Sequence, residues 1–349
     1  MYNSRQKNAF LKTVKANKRR YKIMFDEFAA YEEEHNMDIC DVDSTIYPEL
    51  LMKYLKPQRF GYFYGLYRSL MAYRMFCYSR NLVDPVEFFS HELEPKVDME
   101  DMYSVFSEHN EGVKLRTPGE CIRCFQSRLL NDVSNDCLIP TLTADDYKLA
   151  YVVLKYLGVD DYSMSLITRD CVTTINNVLY INVNATTYEV YDDAAQELLR
   201  RLCEVREIRT PLPNTGVKIT GLDDRYLLAQ EKDDTSELRQ KRIEKIYNTI
   251  SKKISVYDVN NVPSITDVMY QGTIYRMCVG EHRFNLADYE NFTSREWVAL
   301  YESYFTSNQK KYDPSSISTS NTTVVRAMEI EKGFFEEYRY LDENNEWPQ

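Results

Sequence analysis

The chain has 349 residues, 44% of them hydrophobic and 28% charged, the make-up of a globular protein long enough for two domains. No apolar run reaches the roughly 20 residues that span a bilayer, and the basic start lacks the apolar core of an export signal, so a cytoplasmic protein is expected. A net charge of −11 argues against indiscriminate nucleic-acid binding and leaves binding by a defined basic face.

The fold class expected is mainly α with a small sheet (α+β). Eight Lys or Arg and no acid stand between Met1 and Phe25. Val14, Tyr21, Phe25 and Phe28 recur at helical spacing and predict one long first helix over 6–34. On it Lys15, Lys18, Arg19 and Lys22 fall at i, i+3, i+4 and i+7 and share a second face, with Lys12 one turn earlier. A solvated face usually mixes signs. This one has no acid before Asp26, which points to phosphate contact. A second helix is expected over 48–55, stopped by Pro57, and a third over 58–81. Arg59 opens the third, where free backbone N–H groups reinforce a phosphate contact. Asp84-Pro85 predicts a fourth helix ending near Leu93, closing a four-helix domain over 1–95. Residues 96–114 read as an acidic linker with one short helix near 99–106.

The second domain, 115–349, opens at Thr117-Pro118, a cap followed by a proline suited to the first helical position. That helix is expected to run to Leu130, with the next over 145–157. Runs 173–175 and 178–183 flank the turn Asn176-Asn177 and predict a hairpin, with a third strand over 188–191. Helices are expected over 194–203 and 237–254, and 226–228 as a short extended piece. The 237–254 helix has an apolar edge of Ile243, Ile246, Ile250 and Ile254. Its outside carries Arg239, Lys241, Arg242, Lys245, Lys252 and Lys253, a second basic stripe. One stripe per domain suits a clamp on a duplex. The remainder reads as helical apart from a polar loop at 313–323.

The eight cysteines are scattered and are expected as reduced thiols. Only Cys121 and Cys124 have ligand-like spacing, and one helical turn apart they are expected to pack as small apolar residues. No metal site and no cofactor is expected.

The order and spacing resemble tyrosine recombinases and phage integrases. LRTPGECIRCF is similar to the opening of that family's second domain. GVDDYSMSLITRDCV resembles the segment with the first catalytic arginine, NNVLYINVNATTYEVYDDAAQELLRRL the hairpin and following helix, and SITDVMYQGTIY the His-x-x-Arg segment. The opening MYN, a lysine-rich start ending in FAAYEEEH, and TDVMYQGTIY further resemble the lytic cycle repressor family of SPbeta-like phages, whose members are recombinase-shaped repressors. The resemblance implies a core-binding-like (SAM-like) helical domain followed by a recombinase-like domain. Strand exchange needs paired arginines that stabilise charge on the scissile phosphate, with a lysine, a histidine and a tyrosine nucleophile. By this alignment Asp160 stands for the first arginine, Thr186 falls in a hairpin that offers no lysine, Thr266 stands for the histidine, and Met269 for the second arginine. Arg169 and Arg276 are the nearest arginines, and Tyr301, Tyr304, Tyr312, Tyr338 and Tyr340 are the late tyrosines.

Four such losses leave no catalytic residue to name. The expectation is a non-enzymatic phage or prophage regulator that binds a double-stranded DNA operator in the bacterial cytoplasm and is nucleoid-associated when bound. It is expected as a monomer or weak oligomer, with a phage regulatory protein or peptide as a further partner. Two alternatives stay open: an active integrase, and a protein-interaction module.

Overall fold

The computed structural model describes residues 1–57, 59–80, 99–110, 113–129, 144–204, 207–211, 217–221, 225–228, 235–256, 263–282, 286–305, 313–344 and 346–347. Among them the chain is mainly helical, with a three-stranded antiparallel sheet and a separate two-stranded one. It divides into two compact units, Met1–Gly112 and Val113–Gln349.

In the first unit the expected 6–34 helix is three: α1 (Ser4–Thr13), α2 (Lys18–Glu27) and α3 (Ala29–His35). Val14 is extended, and Asn17, with φ +60°, opens α2 from the left-handed region that asparagine tolerates. The break folds α1 back so that Phe10 meets Tyr21, Phe25, Tyr73 and Phe76 at ring separations of 5.0 to 6.2 Å. Burial of one aromatic against four others outweighs a few intrahelical hydrogen bonds lost to solvent. Lys7 is wholly buried and pairs with the equally buried Glu32, which also accepts from the Ile39 N–H at 2.8 Å. Helices α4 (Tyr47–Leu55) and α5 (Phe60–Ser79) agree with expectation. The short helix expected near 99–106 is present as α6 (Met99–His109), and its Met102 and Phe106 are buried, Phe106 beside Phe60 and Phe63. The expected helix after Asp84-Pro85 lies outside the described residues.

In the second unit α7 (Pro118–Leu129) starts as its sequence signals: the Glu120 N–H donates to Thr117 Oγ1 at 3.1 Å, and Glu120 accepts from the Arg116 N–H. Helix α8 (Ala144–Tyr156) is apolar nearly all round, with Tyr147 and the stretch from Leu149 to Leu154 buried, because other elements cover it on several sides. Helix α9 (Asp161–Leu166) follows, then β1 (Val172–Ile175), β2 (Val178–Val183) and β3 (Thr186–Val190), in spatial order β1-β2-β3. Ile175 pairs with Val178 across Asn176-Asn177, and Val183 with Thr186 across Asn184-Ala185. All four turn residues have positive φ, as two-residue hairpins require. Leu179, Ile181, Val183, Tyr188 and Val190 face the core. The Gln196 amide on α10 (Asp193–Glu204) donates to the Asn177 and Val190 carbonyls, both at 2.9 Å, and pins the sheet to that helix.

A second hairpin, β4 (Glu207–Pro211) with β5 (Val217–Gly221), was not expected. Helix α11 (Ser236–Val256) has Ile243 and Ile250 buried and Ile246 half-buried along the predicted apolar edge, while the Ile254 side chain lies outside those described. Residues 226–228, expected as a short extended piece, make one antiparallel bridge, Tyr226 to Thr168. Helices α12 (Ile265–Glu281), α13 (Ser294–Phe305) and α14 (Asn321–Asn344) enclose a separate aromatic core of Trp297, Tyr301, Phe334 and their neighbours. Ser264 and Asp267 cap α12 reciprocally.

Candidate nucleic-acid interface

The basic stripe of the first unit is smaller than its sequence suggests. Of the eight early cations, Lys7 is spent on Glu32 and Arg20 lies over the Tyr62 ring at 5.6 Å, close against Gly65. Arg5, Lys12, Lys15, Lys18, Arg19 and Lys22 are exposed. Lys15 is not on a helix: it sits in the break, between Lys12 at the end of α1 and Lys18 at the start of α2. The predicted i, i+3, i+4, i+7 face therefore holds only for Lys18, Arg19 and Lys22, which are exposed on α2. Arg59 stands just before the first turn of α5, with no side-chain cap hydrogen bond, and is half-buried and engaged by neighbours.

The stripe on α11 is reduced further. Arg239 is buried, donates from Nε to the Ser165 carbonyl at 2.9 Å and stacks on Tyr226 at 3.7 Å. Its guanidinium ties α9 to α11 and is withdrawn from any phosphate. Arg242 is half-buried and engaged. Lys241 and Lys245 remain exposed, one turn apart. Lys252 and Lys253 lie on the same helix, with side chains outside those described.

Asp160, Thr186, Thr266 and Met269, the positions that the resemblance sets against recombinase catalytic residues, have ordinary structural places. Asp160 caps α9, accepting from Ser163 N at 2.8 Å and Ser163 Oγ at 2.7 Å. An aspartate suits that place because it satisfies an orphan helix N–H. Asn184, at the tip of the β2–β3 hairpin, donates to Ser163 Oγ at 2.9 Å, so the hairpin tip and the Asp160 cap adjoin. Thr186 is half-buried at the start of β3. Thr266 is exposed on the first turn of α12, while Met269 packs partly buried against the main core.

Arg276 is committed elsewhere. It donates to the Tyr156 carbonyl at the end of α8, to Thr273 Oγ1 at 3.0 Å and to the Tyr304 carbonyl at 3.2 Å near the end of α13. One guanidinium thus caps two helix C-termini. Burial lowers its pKa to about 10, which still leaves it charged at neutral pH. Gly158, with φ +84°, makes room for it; a Cβ there would stand 2.7 Å from an Arg276 nitrogen.

The late tyrosines are packed residues. Tyr301 is buried against Tyr270, Tyr304 donates to Glu281, Tyr338 lies beside Trp347, and Tyr340 lies under the Arg116 guanidinium at 3.6 Å. Burial and Glu281 raise the Tyr304 pKa, the opposite of what activates a nucleophile. Tyr312 lies outside the described residues. Cys121 is buried and Cys124 half-buried. Among the described residues no group of three His, Cys, Asp or Glu is placed to hold a metal, and no helix is long and apolar enough to cross a membrane. No known family model, curated protein or solved structure matches this chain.

One acidic group nearby titrates unusually. Burial raises the pKa of Glu337 on α14 from an ordinary 4.5 to about 7, with Glu120 adding to the rise and Arg116 and Lys114 opposing it. The folded state holds this proton more tightly than the unfolded chain. Its contribution to stability is therefore full below pH 4.5 and declines as pH rises towards 7. Glu337→Gln is expected to remove that decline and to stabilise the protein at pH 8 by on the order of 3 kcal/mol. Urea unfolding at pH 4.5 and pH 8 checks it: the gain should appear only at the higher pH.

Proposed function

We propose that this chain is a sequence-specific DNA-binding regulator, a repressor of phage lytic genes built on a recombinase-like scaffold without strand-exchange chemistry. The observation that carries the reading is the run of exposed cations from Arg5 to Lys22, unopposed by any acid within it, on a protein whose net charge is −11. In an acidic protein such a run repels nothing it needs and attracts a polyanion to one place. Phosphate contacts come from Lys12, Lys15, Lys18, Arg19 and Lys22, with Lys241 and Lys245 as the reduced second set. Asp160 as a helix cap, Arg276 as a double cap and the packed late tyrosines weigh against an active integrase.

Binding to duplexes from prophage intergenic regions, followed by anisotropy across a salt series, tests the reading. Seven phosphate contacts predict a log–log slope of about −6, a loss of roughly 10³–10⁴ in affinity between 50 and 200 mM salt. Charge reversal at Lys15, Lys18, Arg19 and Lys22 should flatten the slope and abolish binding. Regulation that survives the reversal would make a protein the partner instead. Absence of binding to any such duplex at low salt would sink the proposal.

A further inference from the structure

We propose that Cys40 and Cys77 form an oxidisable dithiol, a modification site at which a hydroperoxide closes a disulfide between the turn after α3 and helix α5. Cys40 lies in the short 3-10 turn Ile39–Asp41, and Cys77 near the end of α5. A single side-chain amide spans them: Gln6 Nε2 is 3.0 Å from Cys77 Sγ and 3.4 Å from Cys40 Sγ. Both sulfurs are buried, and Gln6, itself only half-buried, lies over them.

The arrangement is polarised. The neighbouring Cys40 thiol and the Gln6 amide, which donates to Cys77, lower the Cys77 pKa below that of an ordinary thiol. The negative end of the α5 dipole opposes a thiolate there. A hydrogen bond to a charged acceptor is stronger than one to a neutral acceptor, so the Gln6 donor works against the dipole. Cys40 has the reverse surroundings: its bond to Cys77, burial, and the carboxylates of Asp38 and Asp41 keep its proton on. Its Sγ is 3.6 Å from an Asp41 oxygen. One sulfur is therefore set to attack and the other to resolve.

The chemistry balances. The Cys77 thiolate attacks the hydroperoxide, forming an S–O bond and breaking the O–O bond, and the alkoxide or hydroxide leaves with a proton as alcohol or water. Cys40 then attacks the Cys77 sulfenic sulfur. The S–S bond forms, the S–O bond breaks, and hydroxide departs as water with the Cys40 proton. Two thiols lose two electrons and the hydroperoxide gains them.

The experiment treats the folded full-length protein with hydrogen peroxide, quenches it with N-ethylmaleimide and maps linked peptides without reduction. The Cys40–Cys77 peptide should be the main disulfide, and dithiothreitol should return it to free thiols. In Cys40→Ala, dimedone should label Cys77; in Cys77→Ala, Cys40 should stay unoxidised. Because either variant replaces a buried residue, the wild-type protein also decides alone. A Cys40–Cys77 yield no higher than in urea-unfolded chain overturns the proposal. So does oxidation confined to Cys124, Cys171 or Cys203 while Cys40 and Cys77 remain alkylatable after unfolding.

Discussion

Arg276→Ala is expected to destabilise the second unit by about 3–5 kcal/mol, more than any other single arginine change there. The guanidinium satisfies the Tyr156 and Tyr304 carbonyls, which terminate helices far apart in sequence, and Thr273 beside them. Its removal leaves two partly buried acceptors unpaired at about 1–3 kcal/mol each, along with the lost charge at two helix C-termini. Water does not easily replace it, because Gly272 brings α12 hard against the same Tyr156 carbonyl. Arg276→Lys should recover little, since one ammonium cannot reproduce the fork that reaches both carbonyls. Urea unfolding with hydrogen exchange at the ends of α8 and α13 checks this. A loss below 1 kcal/mol, or protection lost at one helix end only, would refute the double cap.

Lys7→Met is expected to cost the first unit a similar amount, about 3–5 kcal/mol, because it strands the Glu32 carboxylate in the core. Burial already raises the Glu32 pKa against the pull of Lys7 and the Ile39 N–H. The pair itself is worth much less than its rupture. Lys7→Met with Glu32→Gln keeps an acceptor for Ile39 and removes both charges, and should recover most of the loss. Lys7 also lies 5.1 Å from the Phe25 ring, so its stem packs as well as pairs. The check is a double-mutant cycle by urea unfolding. Equal losses in the single and double variants would mean that packing, and not the stranded charge, sets the cost.

Local chemistry explains which elements were legible in the chain. Thr117-Pro118 opens α7, Asn176-Asn177 turns the β1–β2 hairpin, and the isoleucines of α11 mark its buried edge. Each is decided by neighbours in sequence. The break at Val14 has no glycine or proline to announce it, and the 3.6-residue periodicity runs through it undisturbed. It exists because Phe10 gains more from distant rings than from a continued helix. The same holds for the basic residues. Lys7, Arg239 and Arg276 look like surface cations until Glu32, Tyr226 and the Tyr156 carbonyl are brought to them by the fold. The β4–β5 hairpin did leave a signal: β-branched residues at Ile208, Thr210, Val217 and Ile219 on either side of a Pro- and Asn-containing stretch.

The first residues of the second unit are stitched down from two sides. The Gln271 side chain accepts from the Leu115 N–H at 2.6 Å and donates to the Val113 carbonyl at 2.8 Å. Lys114 meets Glu336 at 2.8 Å, and Arg116 meets Glu337 at 3.6 Å. Tension applied to the chain at Gly112 is thus carried by α12 and α14, and the start of α7 is spared. The practical corollary concerns dissection: a cut before Val113 leaves the stitches whole, whereas one after Arg116, or removal of α14, unpicks them.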